Sequence, residues 1–130
     1  MSSTQAANVA IVEAFITALN TNDLDAAGVL LAPDLVAAIT NRESGADYVS
    51  SREAYLARVP DLDSAQYTLE TPNILAIEDG LVLVMVVVRA SRNGRELRNH
   101  SGQLARVRDG MITHLWMVEA LPEYSDEFWS

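Results

Sequence analysis

LVLVMVVV, Leu81 to Val88, has no polar position on either face. A strand backed by solvent on one side alternates apolar and polar residues, so this strand must be covered twice. In a chain of 130 residues, helices can cover one face. The other needs a partner subunit, or a concavity that holds something apolar.

Working outward, Glu78-Asp79-Gly80 turns the chain into this strand, which runs over 81–91. Asn93-Gly94 behind it is a two-residue hairpin signal. Further strands are predicted over 65–77, 96–107 and 111–120, with Asp109-Gly110 turning the last pair. Pro72 restricts the first of them to a sheet edge or a bulge, because proline has no N–H to give a ladder.

Upstream, Val9, Val12, Phe15, Ile16 and Leu19 recur at helical spacing over residues 4–20. The Asn20-Thr21-Asn22-Asp23 stretch stops that helix and offers Asn22 or Asp23 as the cap of a second, over 24–32, which Pro33-Asp34 ends. A short strand is predicted over 35–40 and a loop of mixed polarity over 41–50. Ser50 with Glu53 matches a capping box opening a third helix over 51–59, closed by Pro60. Tyr124, Phe128 and Trp129 in the tail predict that it docks. Helices followed by a four-strand meander argue for one α+β domain over 1–130, with the helices on one face of a curved antiparallel sheet.

Hydrophobic residues make up 49% and charged residues 21% of the chain, which is the profile of a globular domain. The longest apolar run, 81–88, falls far short of the roughly 20 residues that span a bilayer. The opening MSSTQAANVA has neither the basic nor the apolar region of a secretory leader. With no cysteine there is neither a disulfide framework nor thiolate chemistry, and cytoplasmic residence is expected. Nine basic against 18 acidic residues give a net charge of −9, which disfavours nucleic acid and anionic membrane surfaces as partners.

VEAFITALNTNDLDAAGVLLAPD, Val12 to Asp34, and VRDGMITHLWMVEA, Val107 to Ala120, resemble the opening and closing segments of the NTF2-like superfamily, in its SnoaL-like and ketosteroid-isomerase-like branch. The resemblance implies a cone-shaped sheet wrapped around N-terminal helices, an apolar pocket inside the cone, and a homodimer mated through the outer sheet face. The double apolarity of 81–88 then has an explanation, with one side lining the pocket and the other meeting the partner.

The branch's catalytic residues do not carry over. The ketosteroid isomerases' oxyanion-stabilising Tyr falls on Phe15, their general-base Asp on Ile39 and their second acid on Gln103. A reaction that needs a base and a proton donor has lost all three. The acid that SnoaL-type cyclases carry on the last strand falls on Met117, and their partner His near Gln103. No Arg stands between two acids at positions matching the Asp-Arg-Asp set of limonene-epoxide-hydrolase-like members.

The polar residues left for the cone depend on the hairpin over 107–111. A three-residue loop pairs Val107 with Met111 and sets Asn99 opposite Glu119, Ser101 opposite Met117 and Gln103 opposite Leu115. A two-residue Asp109-Gly110 turn moves the register by one and sets His100 opposite Glu119. The comparison with the branch favours the first. Asn99, Gln103 and Glu119 then point inward among Phe15, Leu115 and Met117. Glu119 becomes either a buried acid/base with a raised pKa or a solvated acid at the mouth.

Tyr48 on the 41–50 loop and Tyr55 on the third helix are candidates for the rim. His100, His114, Leu104 and Trp116 fall on the outer face, where interface packing accounts for them. Two histidines without a third ligand give no metal site, and no cofactor is expected. Two functions stay open. One is a pocket for a hydrophobic small molecule, either binding it or acting on it as a cyclase, lyase or hydrolase through Glu119. The other is a non-catalytic dimeric sensing or association domain.

Overall fold

A computed structural model describes residues 2–59 and 65–130. Its order is α1 (Ser3–Asn20), α2 (Leu24–Gly28), β1 (Leu31–Thr40), β2 (Ala46–Ser50), α3 (Arg52–Arg58), β3 (Thr68–Ala76), β4 (Leu81–Arg92), β5 (Arg95–Arg108), β6 (Met111–Glu119) and α4 (Pro122–Trp129). The six strands form one open, curved sheet in the order β2-β1-β6-β5-β4-β3, antiparallel except for the parallel pair β1–β6. This is the α+β architecture expected from the sequence.

Helix α1 begins at a capping box. Ser2 Oγ accepts from the Gln5 N–H, and the Gln5 side chain accepts from the Ser2 N–H. Its buried stripe of Val12, Phe15, Ile16 and Leu19 joins Val82, Val84, Val86 and Val88 of β4 in one core on the sheet's concave side. At its end the Asn20 side chain donates to Leu69 O (3.1 Å) and accepts from Leu69 N–H (2.7 Å), fastening the helix to β3. Strand β3 lies at the sheet edge and its pairing slips by one residue between Glu70 and Asn73, so the segment holding Pro72 meets both of the conditions that a proline allows.

Several boundaries differ from the expectation. Asp23 caps α2 by accepting from Ala26 N–H, but the helix ends at Gly28, and β1 starts at Leu31 rather than Leu35. Leu31 pairs with Ile112, and the ladder breaks between Leu31 and Val36, around Pro33. Proline here interrupts a strand instead of ending a helix. The 41–50 loop contains β2, paired along β1 from Thr40–Ala46 to Val36–Ser50. The cap of α3 is Ser51, whose Oγ accepts from Ala54 N–H, and not Ser50. Pro60, expected to close that helix, lies outside the described residues.

The hairpin between β5 and β6 takes neither expected register whole. Asp109 (φ 53°) and Gly110 (φ 79°) are both left-handed, as a two-residue type I′ turn requires, and Arg108 pairs with Met111. Thr113 is then an extra residue in β6: Val107 pairs with Ile112, but Arg106 pairs with His114. This bulge moves the register by one more. Gln103 ends opposite Met117 and Ser101 opposite Glu119. The three-residue loop named the correct inward face, and the two-residue turn named the correct turn.

The tail forms α4, which folds back across β5. Asn99 Nδ2 donates to Leu121 O (3.0 Å) and Asn99 Oδ1 accepts from Leu121 N–H (3.1 Å). Tyr124 Oη donates to Glu96 O, and Arg92 donates to the carbonyls of Trp129 and Ser130, where a cation suits the negative end of the helix. Because Asn99 is only 2% exposed, losing its amide strands two backbone groups. Asn99→Ala is therefore expected to cost about 1–3 kcal/mol in urea unfolding, with Trp129 fluorescence shifting towards that of an exposed indole. An unchanged midpoint would show that α4 is held elsewhere.

Candidate functional site

Alternation along β5 puts Leu97, Asn99, Ser101, Gln103, Ala105 and Val107 on the concave side, all buried. After the Thr113 bulge, Leu115, Met117 and Glu119 of β6 share that side. Ala37 and Ile39 of β1 continue it, and Tyr55 of α3 closes over it. Four of the expected site residues, Tyr55, Gln103, Leu115 and Met117, surround one small inner space of about 10 Å³. Phe15, 1% exposed, packs below them with its ring centroid 6.3 Å from that of Tyr55. Gln103 Nε2 reaches Met117 Sδ at 3.5 Å, a weak acceptor for a buried amide. An inner space this size holds about one water.

Glu119 stands at the open end of this wall. Its N–H donates to Thr40 Oγ1 (3.0 Å), and its Oε1 accepts from Ser125 Oγ of α4 (3.1 Å). Burial pushes its carboxyl above the usual range. Asp126 adds to the rise, while the Ser125 hydrogen bond and the charge of Arg58 oppose it. Tyr55 is pushed up to about 12 by burial. Tyr67 is raised further, by burial first and then by Tyr55 and Glu119, so both phenols stay protonated against the carboxyl.

Two expected site residues fall elsewhere. Tyr48 pairs with Ala38 on the convex side and is 76% exposed, so it is not part of the concave wall. The loop reading of 41–50 hid the alternation that turns it outward. Asn99 is on the concave side, but both ends of its amide are taken by Leu121, so it positions α4.

Other residues of the site were missed in the sequence. Ser101 lies between Asn99 and Gln103 on the same face, and strand periodicity alone identifies it. Tyr67 is followed by Leu69 at the same spacing. Ser125 and Arg58 come close only through the fold. Arg58 Nη1 donates to Asp47 Oδ2 at 3.2 Å, and the Asn41 amide donates to Asp47 Oδ1 at 3.0 Å. These two bonds hold the Asp47 carboxyl below its ordinary range, the Asn41 bond most strongly. Arg58 thus pairs with an aspartate 11 residues away in the chain, and its charge also reaches Glu119.

A roomier cleft, about 480 Å³, lies outside the concave face between Asn41, Arg42 and Ser44 and the start of α4. It is open to solvent, and Arg42 within it already faces Glu123 (3.5 Å) and Glu127 (4.0 Å). Glu119 lines neither this cleft nor the inner space, and stands on the same strand face as Leu115 and Met117 of the inner space. The inner space, apolar but for Gln103 and Tyr55 and lying on the strand face that carries Glu119, is the candidate site. Among the described residues no three His, Asp or Glu side chains are grouped to hold a metal, and no helix is long and apolar enough to cross a membrane.

Known proteins supply the context for this geometry. The family model of the SnoaL-like domain matches residues 12–115. No curated protein matches the chain. Among solved structures, a protein from a soil-derived mobile gene cassette superposes with a TM-score of 0.87 at 19% identity, covering 98% of this chain and 100% of that one. A putative polyketide cyclase of Xanthomonas campestris pv. campestris gives 0.75 at 24%, covering 94% and 96%. An LEH-like epoxide hydrolase of M. tuberculosis gives 0.76 at 18%, covering 93% and 88%. At these identities the likeness is one of fold. The match over residues 12–115 goes further, and the chain belongs to the SnoaL-like domain family.

Proposed function

We propose that the concave face binds a hydrophobic small molecule and that Glu119 is its proton-transfer group, in a reaction of the cyclase, lyase or hydrolase type. One observation carries this reading. A carboxyl whose proton affinity is raised by burial stands at the end of an apolar wall, accepting from the Ser125 hydroxyl. Burial of a carboxyl is one way in which a general acid or base is made. The polyketide cyclase and epoxide hydrolase among the fold's relatives are consistent with such chemistry.

Entry requires the inner space to widen, and α3 is the wall suited to move. None of its residues is fully buried, and only Tyr55 and Leu56 pack against the core. The Arg58–Asp47 pair that helps hold it is exposed, and exposed pairs contribute little. Tyr55 would swing away from Phe15 as α3 lifts.

A second reading is a non-catalytic dimeric association domain, favoured by the small inner volume and by the convex side of the sheet. That side exposes Val36, Leu75, Met85 and Val118. At its centre Trp116 stacks on His114 (5.4 Å between rings) beneath the Arg106 guanidinium (5.7 Å). An apolar sheet face of this kind suits a second copy of the chain.

Three measurements test these readings. A thermal-shift screen of hydrophobic metabolites should find compounds that stabilise the wild type and stabilise Glu119→Gln differently. If no compound stabilises either protein, the binding reading fails. Glu119 holds its proton more tightly folded than unfolded, so the native state loses stability as pH rises from about 4.5 through its raised pKa. Glu119→Gln should abolish that slope and become the more stable protein near neutrality, with the two converging in acid. Parallel stability–pH curves would remove Glu119 as a perturbed acid. Finally, Trp116→Asp should sediment as a monomer where the wild type sediments as a dimer, and a variant dimer as tight as the wild type would contradict the convex interface.

A further inference from the structure

Among the described residues, one buried side-chain hydroxyl, on the concave wall, has no hydrogen-bond partner. Ser101 is 6% exposed, and its Oγ is buried without a hydrogen bond among the described residues. Its neighbours on the same face are engaged, Asn99 by Leu121 and Gln103 by Met117. Native proteins pair almost all such groups, and each exception requires an explanation. Alanine would fit the same strand without leaving a hydroxyl unpaired.

Ser101 lies directly across the β5–β6 ladder from Glu119. Directly opposed side chains on one face start about 5 Å apart at Cβ, so one ligand atom can touch both. Glu119 Oε1 is occupied by Ser125, which leaves Oε2 for that atom. Resting on the reading of the concave face as a ligand site, we propose that Ser101 is a ligand-binding residue. Its hydroxyl and the Glu119 carboxyl together take an uncharged oxygen, hydroxyl or carbonyl, of an otherwise apolar molecule.

The charge of the surroundings selects against ions. An anion would meet Glu119 and Asp126, and the nearby Arg58 is already bonded to Asp47. Burial favours the protonated Glu119 carboxyl, which donates to a neutral oxygen but offers little to a cation. A serine hydroxyl both donates and accepts, so it completes either an alcohol or a carbonyl.

The test uses the full chain and four probes of one shape: cyclohexanol, cyclohexanone, cyclohexanecarboxylate and cyclohexylamine. Binding is followed by ligand-detected NMR, and stability by urea unfolding, for the wild type and Ser101→Ala. The alcohol or the ketone should bind the wild type in preference to both charged probes. Ser101→Ala should weaken that binding about two- to tenfold, the worth of one hydrogen bond, with an unfolding midpoint unchanged or raised. Equal binding by Ser101→Ala overturns the role of Ser101 and leaves the ligand site standing. A lowered midpoint overturns it too, because the hydroxyl would then have a structural partner. Preference for a charged probe overturns the choice of an uncharged oxygen. If no probe binds the wild type, this proposal and the ligand site fail together.

Discussion

The concave face depends on one irregularity, the bulge at Thr113 that follows the Asp109-Gly110 turn. Side chains in a strand alternate faces, so a one-residue slip would exchange every inward group of β6 for an outward one. The type I′ turn taken alone would turn His114, Trp116 and Val118 inward and Glu119 outward. Thr113 absorbs the odd residue, with its Oγ1 donating to Arg106 O at 3.3 Å. The stacked Trp116 and His114 are thereby set on the convex side, and Leu115, Met117 and Glu119 on the concave side. The parallel pairing of β6 with β1 carries the same parity to Ala37 and Ile39.

Around that register the two termini complete the wall from opposite directions. Helix α1 fills the base with Phe15, and Asn20 locks it to β3. Helix α4 seals the open end, bringing Ser125 to Glu119. The raised proton affinity of Glu119 is therefore a product of packing. Burial is its first cause, and the charge of Asp126 on α4 adds to it.

Much of this was legible in the residues. Helical spacing from Val9 to Leu19 and the Asn93-Gly94 hairpin signal are local properties. A local pattern reports its own geometry whatever the tertiary context. Strand β2 was not legible, because five residues including Asp47 and Ser50 become a strand only by pairing with β1. Pro33 misled for a related reason, since proline punctuates a helix and a strand alike.

The sequence by itself determined the family, the α+β class, the doubly apolar character of β4, and the inward placement of Phe15 and Gln103. These follow from periodicity and residue type, which each segment carries within itself. Only the tertiary structure decided that Asn99 is engaged with α4, that Tyr48 faces outward, that Arg58 pairs with Asp47, and that Ser101 faces Glu119 unpaired. Those facts are pairings between segments distant in the chain. Their register depends on where a bulge falls and on what covers the open end of the sheet, and neither is written in any single stretch of residues.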